Sequence, residues 1–326
     1  MTELRLWLGR NGGLLLAVAV FVLMFTVYIA NHSAGFTVNV VTTAANKGVL
    51  LALVAMAQTV PVLTGGLDLS VGMIFILTNC LASTIVIGTE IEVAIGVIGV
   101  LAAGMAAGLV NGVVVVYGRL QPIITTLATG AVYYGLALRL RPIAGGDVDG
   151  DLADFMTGQI FDVIPTALVL LLAVVLVLWI PFRNSEIGRG CYAAGSAEGA
   201  AYMSGVKLDR SKLAAYMMSG ILASIAGLLL TFITYSGEAS APSGGNYTLN
   251  SIAAVVIGGT SLFGGSGSAI GSIFGAFILR TISDLLFVFD LPPLWQPLFE
   301  GCILLLAVSL GAARILRIRN RLEQFG

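Results

Sequence analysis

The sequence predicts an all-α, polytopic membrane protein of about ten transmembrane helices, and three observations lead there. Hydrophobic residues fill 58% of the 326 positions and charged residues only 10%, against about 25% charged in an ordinary soluble domain, and the mean hydropathy is +1.00. The apolar residues gather into runs long enough to cross a bilayer, which takes about 20 residues per helix. The 41 glycines supply small-residue faces, through which helices associate in lipid by close packing rather than by hydrophobic exclusion.

In chain order, Arg5 and Arg10 precede an apolar run from Gly13 to about Ala30. A signal peptide would have a shorter apolar core and a small-residue cleavage site followed by a soluble body, so this run is read as a retained first span. Further spans are predicted over 47–63, 71–87, 93–116, 122–138 (opened by Pro122), 163–181, 213–235, 251–262, 269–289 and 294–310. Together they make a single membrane domain over 1–326. Three cysteines (Cys80, Cys191, Cys302) in separate apolar segments and a single histidine, His32, argue against a disulfide framework or a metal site.

Charge placement orients the chain. With the N-terminus inside, the cytoplasmic side collects Arg5, Arg10, Arg119, Arg183, Arg189, Lys207, Arg210, Lys212, Arg314, Arg317, Arg319 and Arg321, twelve of the sixteen basic residues. The opposite side collects Glu90, Glu92, Asp147, Asp149, Asp151, Asp154, Asp162, Glu238 and Asp290. Both termini are therefore placed inside. Lys47, Arg139 and Arg141 dissent, because they fall near the outer ends of their spans. Arg280 and Asp284, four apart on the ninth span, are read as an ion pair.

The longest compact basic connection is 183–212, a cytoplasmic loop tethered between two spans. Its middle reads as a short helix, with Ser196 as N-cap, Glu198 on the positive end of the dipole, Ala200 and Ala201 propagating, and Gly205 as a left-handed stop. A helix held this way can hand a push from a soluble partner to the membrane body. Tyr202 and Met203 either dock into a groove on that partner or lie on lipid.

Glycine recurs at 104, 108 and 112 and again at 267, 271 and 275. The second triplet lies half a chain length beyond the first, which suggests two five-span halves in inverted orientation, although glycine is frequent enough for one such triplet to arise by chance. Two irregular stretches, 64–72 and 258–268, interrupt the apolar runs. Asp68 or Ser70 is placed to cap the following helix, with Asp68 read as either an interfacial cap or a cargo contact. Polar or aromatic residues inside spans, namely Gln58, Asn79, Asn111, Thr125, Thr126, Thr129, Tyr133, Phe232 and Asn250, are candidates for the path or for bonds between helices. No P-loop and no acid–base constellation is present, so energy has to come from another subunit.

Four stretches in this order, GGLDLSVG (65–72), TTLAT (125–129), YAAGSAEGAAYMSGV (192–206) and VVIGGTSLFGGSGSAIGSIFGA (255–276), resemble the permease subunits of bacterial ABC importers for monosaccharides of the ribose, galactose and xylose type. The resemblance spans most of the chain. It implies a fold similar to the membrane subunit of the vitamin B12 importer, in the bacterial inner membrane, with a second permease protomer, an ATP-binding cassette subunit and a periplasmic sugar-binding protein as partners. It implies no cofactor, no metal, no nucleic acid and no catalytic residue in this chain. Gly195, Ser196, Glu198, Ala200, Ala201, Tyr202 and Gly205 fall on the coupling helix of that family, which passes movement on through the spans to either side of it. Asp68, Ser70, Gln58, Asn79, Thr126, Thr129, Phe232 and Asn250 are the candidates for the translocation path. An asparagine–proline pair common in the coupling loop is replaced here by Ser196-Ala197-Glu198-Gly199, which puts the cargo in more doubt than the role. Branched-chain amino acids or nucleosides as cargo, and an ion-coupled carrier acting alone, are the competing classes.

Overall fold

The computed structural model describes residues 2–302 and residue 305. Twelve α-helices are found among them: α1 (Thr2–Asn31), α2 (Val38–Leu63), α3 (Val71–Ile85), α4 (Glu90–Val116), α5 (Pro122–Leu140), α6 (Gly150–Thr157), α7 (Thr166–Val174), α8 (Ile180–Asn184), α9 (Glu186–Met203), α10 (Leu208–Thr234), α11 (Ala241–Ile257) and α12 (Ala269–Val288). A two-residue antiparallel pair, β1 (Gln159–Ile160) and β2 (Ile164–Pro165), precedes α7. Seven helices are long and apolar enough to cross a membrane, counting α7, α8 and the π-helical turns between them as one, Thr166–Asn184.

Local chemistry sets the helix ends. Thr89 and Glu92 form a reciprocal capping box that starts α4, and Pro122 occupies the first turn of α5, where its missing N–H costs nothing. The π-helical stretch Val175–Trp179 precedes Pro181, which has no N–H to continue an α ladder. The Ile180 N–H reaches back to the Val175 carbonyl instead.

Three features depart from the sequence reading. Of the span predicted over 251–262 only 251–257 is helical, as the last part of α11, which begins ten residues earlier. Ser240 caps it and Pro242 sits in its first turn, so the polar run Ser243–Asn250 is helical. The ninth span begins at Ala269 as predicted, but Gly267, grouped with Gly271 and Gly275 in the second glycine triplet, lies in the preceding loop with a left-handed φ of 134°. Of the tenth span, residues 293–302 form a 3₁₀ turn at Pro293–Trp295 and a helical segment after it. Its remainder, other than residue 305, and the four terminal arginines lie outside the described residues.

The core is built on α2, in which every residue from Gly48 to Leu63 is buried. It packs on α10 and α12, with α11 and α3 beside it. The pairings repeat: α10 packs on α4 as α2 packs on α12, and α3 lies on α10 as α11 lies on α2. Polar groups inside α2 are satisfied locally or across the interface. Thr59 Oγ1 bonds the Ala55 carbonyl (2.7 Å) and Ser272 Oγ (2.7 Å). The apolar faces of α1 and α4, including Leu16, Leu23, Ile91 and Ile98, point outward, as expected of lipid-facing or subunit-facing surfaces.

Glycine sets the distance of closest approach. A Cβ on Gly108 would lie 2.1 Å from the Tyr216 carbonyl oxygen, and one on Gly220 would lie 2.0 Å from that of Gly104. Gly271 and Gly275 bear in the same way on Gly258 and Ala254 at the end of α11. Gly108→Ala is therefore expected to force α4 off α10 and lower thermal stability in detergent by about 1–3 kcal/mol. Gly135→Ala, with open space at its Cβ, should leave stability unchanged or raise it by up to about 1 kcal/mol.

Candidate transport site and coupling surface

The break between α2 and α3 holds a fully buried carboxylate. Asp68 accepts from the Ser70 N–H (3.0 Å), Ser70 Oγ (2.6 Å) and Ser219 Oγ (3.2 Å). Asn111 Nδ2 donates to Ser70 Oγ (2.7 Å), while its Oδ1 accepts from Thr129 (2.6 Å) and Tyr133 (3.1 Å). Thr126 Oγ1 accepts from the Leu69 N–H (2.9 Å) and donates to the Pro122 carbonyl (2.8 Å). Gln58, in the amide orientation that satisfies both groups, donates to the Asp68 carbonyl (2.8 Å) and accepts from its N–H (3.3 Å). Irregular backbone at membrane depth survives only where protein satisfies it, and these side chains from α2, α4, α5 and α10 do so.

Seven of the sequence candidates (Gln58, Asp68, Ser70, Asn111, Thr126, Thr129, Tyr133) thus meet in one network. Asp68 is neither an interfacial residue nor the cap of α3. It closes a turn onto Ser70, and the Gly72 N–H at the start of α3 donates to Thr248 of α11 (3.1 Å). Asn79 lies elsewhere. It bonds Thr231 (2.9 Å), the Ser236 carbonyl (3.2 Å) and the Glu238 N–H (2.9 Å), and so ties α3 to the end of α10. Phe232 packs with Val86, Val100 and Val148 in an apolar cluster.

Asn250 belongs to a different feature, a polar cavity of about 290 Å³ bounded by α2, α11, α12 and the segment after Pro293. Ser243, Asn246, Tyr247 and Asn250 share one stripe of α11, and Arg280 and Ser283 face them from α12. The predicted Arg280–Asp284 pair does not form: Asp284 instead lies 3.9 Å from Lys47 of α2. Arg280 Nε and Ser283 Oγ are buried without hydrogen-bond partners among the described residues, and each unmade bond of this kind costs about 1–3 kcal/mol. The charge pattern had made Lys47 and Arg141 exceptions. Arg141 turns inward, donating to Ser83 Oγ (2.9 Å) and to its carbonyl (2.6 Å), whereas the Lys47 side chain stays 44% exposed while reaching Asp284.

The 183–212 segment is mostly helix rather than loop. Ser185 caps α9, which runs from Glu186 to Met203 and breaks at Ala197 (φ −160°, ψ 90°). Ser196 is therefore not an N-cap. It ends the first half of α9 and donates back to the Tyr192 carbonyl (2.8 Å). Glu198, in the first turn after the break, pairs with Lys212 Nζ (2.6 Å). The second half stops as predicted at Gly205 (φ 80°): the Val206 N–H reaches the Ala201 carbonyl and that of Gly205 reaches Tyr202. Ala200 is exposed. Ala201 is buried with Ala194 and Leu208, whereas Tyr202 and Met203 are 74% and 88% exposed.

At the break, three irregular connections meet backbone to backbone. A Cβ on Gly195 would lie 2.2 Å from the Leu63 carbonyl oxygen and 2.4 Å from the Gly265 nitrogen, and one on Gly264 would lie 2.7 Å from the Gly65 nitrogen. The Gly265 N–H donates to the Leu63 carbonyl (3.0 Å), and the Tyr192 hydroxyl donates to the Gly267 carbonyl (3.0 Å). The end of α2, the entry to α12 and the middle of α9 are thereby locked at one point. The middle of α9 thus touches the end of α2 and the loop that enters α12, in addition to its flanking helices.

Two expectations follow. Asp68→Ala strands the Ser70, Ser219 and Asn111 side chains and should lower stability by at least about 2 kcal/mol, with Asp68→Asn costing less; thermal unfolding in detergent measures both. Burial pushes the Cys191 thiol up to about 12, leaving about one in 10⁴ ionised at pH 8, and its Sγ donates to the Ser211 carbonyl (3.3 Å). N-ethylmaleimide should therefore leave Cys191 unmodified while α9 remains docked on α10, as mass spectrometry of the labelled protein would show.

The family model for the branched-chain amino acid transport system / permease component matches residues 40–308. The chain is similar to the ribose import permease protein RbsC of Bacillus subtilis (strain 168), at 35% identity over 90% of this chain and 90% of the relative. It is similar also to RbsC of Escherichia coli (strain K12), at 34% over 84% and 85%. The autoinducer 2 import system permease protein LsrC of Yersinia pseudotuberculosis (serotype O:3, strain YPIII) matches at 32% over 91% and 83%. No solved structure matches the chain significantly.

Proposed function

The chain belongs to the family of branched-chain amino acid transport system permease components, and from that premise we propose that it is the membrane-spanning subunit of an ATP-driven importer for a monosaccharide. Support for a sugar over a branched-chain amino acid comes from relatives named for ribose and autoinducer 2 import, which match at 32–35% identity over most of both chains. A non-catalytic permease works with an ATPase carried on a separate subunit, and a binding protein delivers the cargo. The fold is read as that of the vitamin B12 importer's membrane subunit, with about ten spans and two inverted halves. The repeated pairing of α2 with α12 and α10 with α4 supports this reading. The protein is placed in the bacterial inner membrane with both termini cytoplasmic, and a second permease protomer, identical or not, covers part of the exposed apolar surface.

The observation that carries the coupling role is the junction of Gly195 with Leu63, Gly264 and Gly265. In this reading α9 faces the ATPase, the exposed Tyr202 and Met203 fill its groove, and closure of the ATPase tilts the half of α9 after Ala197. Because no side chain cushions the junction, displacement passes directly into α2 and α12, and access to the path alternates. Glu198 sets the angle of the second half through Lys212, and the buried Ala201 supports it from below.

Reconstituted with its ATPase and binding protein, the wild-type chain should take up D-ribose or another monosaccharide only with ATP and show no response to an uncoupler. Tyr202→Asp combined with Met203→Asp should abolish ATPase binding while the protein stays folded. Gly195→Ala should keep the ATPase bound and hydrolysing but reduce uptake per ATP at least tenfold. Full coupling in Gly195→Ala rejects the junction as the route, and uptake of L-leucine in place of any sugar rejects the cargo assignment.

A further inference from the structure

We propose that the cavity between α11 and α12 is a binding station for a neutral, polyhydroxylated molecule of monosaccharide size, held within one protomer by Asn246, Asn250, Arg280 and Ser283. The inference rests on the importer reading above and names the site within it.

Its position is the first argument. Arg280 lies eleven residues into α12, about 17 Å along its axis, and Lys47 nine residues into α2, about 14 Å. Both therefore lie well inside their helices rather than at the ends, and ionisable side chains within membrane helices are costly and mark transport paths or pairs of mutual support. Lys47 has a pair in Asp284, whereas the Arg280 side chain lines an open volume and its Nε, enclosed behind that wall, has no hydrogen-bond partner among the described residues. Ser283, one turn along the same face, repeats the pattern. Two buried polar groups without partners on one cavity wall are donors waiting for an acceptor that the described chain does not supply.

Charge balance selects the ligand class. Around the cavity stand two cations, Lys47 and Arg280, and two anions, Asp284 and Glu300, the last also accepting from Gln296 Nε2 (2.7 Å). An ionic cargo would leave one charge uncompensated in a medium of low dielectric. A neutral cargo bearing several hydroxyls avoids that, since each hydroxyl both donates and accepts and can satisfy guanidinium, amide and carboxylate together. Size agrees. At about 290 Å³ the space sits at the low end of small-molecule cavities, which begin at about 300 Å³, and so suits a single sugar ring rather than a disaccharide. Tyr247, whose ring lies 4.7 Å from that of Phe75, adds an aromatic side chain to the cavity lining.

The α11 stripe also defines a direction. Ser243, Asn246, Tyr247 and Asn250 recur at i, i+3, i+4 and i+7, from an exposed first turn inward to a half-buried Asn250. A hydroxylated molecule entering at Ser243 exchanges water for side-chain partners one turn at a time. None of these residues belongs to the Asp68 network or to the coupling junction, so the station can be altered without disturbing either.

The test uses the complete transporter, with ATPase and binding protein, in nanodiscs and proteoliposomes. With Asn250→Cys placed in a Cys302→Ser background, millimolar D-ribose or D-xylose should slow labelling by a thiosulfonate reagent at least fivefold, L-leucine should not, and labelling of a Tyr117→Cys control, 60% exposed, should not change. Arg280→Gln and, separately, Asn246→Ala should reduce uptake per ATP at least tenfold with binding-protein-stimulated ATPase activity intact, and Arg280→Lys should recover part of the loss. Wild-type uptake rates in both variants, or labelling of position 250 indifferent to every sugar while the wild type transports, overturns the station. Protection by L-leucine overturns the ligand class. If the wild type moves no sugar at all, the importer reading falls, and protection at position 250 still decides the cavity by itself.

Discussion

What the rest of this structure depends on is the approach of one backbone to another with no side chain between them. In lipid a leucine gains nothing by leaving the acyl chains for another leucine, so helices hold together by surfaces that fit closely enough for dispersion forces to sum. Here the fit is made by glycine on both partners, Gly104 and Gly108 against Tyr216 and Gly220, Gly271 and Gly275 against Ala254 and Gly258. The same device, moved from the helix faces to their ends, makes the junction of Gly195, Gly264 and Gly65. Rigid packing and the path from the cytosolic helix into the core thus come from one kind of contact.

Polar chemistry is distributed to match. The buried carboxylate of Asp68 spends its acceptors inside the protein, on Ser70 and Ser219, and through Ser70 it connects to Asn111, Thr129 and Tyr133. That network lets the chain break between α2 and α3 without exposing backbone groups to hydrocarbon. Around α11 and α12, by contrast, polar groups outnumber their partners. The first arrangement fixes a shape and the second leaves room for something to enter.

Much of this was legible in the chain, for identifiable reasons. Hydropathy finds α1, α2, α4, α5, α10 and α12 because their apolar runs are long, and the positive-φ Gly205 was visible because little else stops a helix as cleanly. The start of α11 was not, since Ser243-Gly-Gly-Asn246 lacks an apolar run and its helix is started by the Ser240 cap and Pro242 in the first turn. Ser196 was misread because a serine beside a glycine resembles an N-cap, while the side chain in fact bonds backwards and the break falls one residue later, at Ala197. Spacing alone pairs Arg280 with Asp284; the actual partner, Lys47, is more than 230 positions away and no local rule reaches it. Within the cavity, Asn250 stood out as a polar residue in an apolar stretch, whereas Asn246 and Ser283 acquire meaning only when α11 faces α12.

The enclosure of α2 bears on how the chain is made. Protein surrounds Gly48 to Leu63 on every side, yet the walls contributed by α10, α11 and α12 are synthesised last, and chains assemble from the N-terminus as they emerge. For most of translation this segment, with Gln58 and Thr59 within it, faces hydrocarbon or the insertion machinery and not its eventual neighbours. An 18-residue window of α2 reaches a mean hydropathy of 1.7, against 2.6 for Gly12–Asn31 and 2.4 for α4, so α2 gains less from lipid than either of those two early spans. The early half of the molecule therefore waits, incompletely seated, until the late half arrives to close around it.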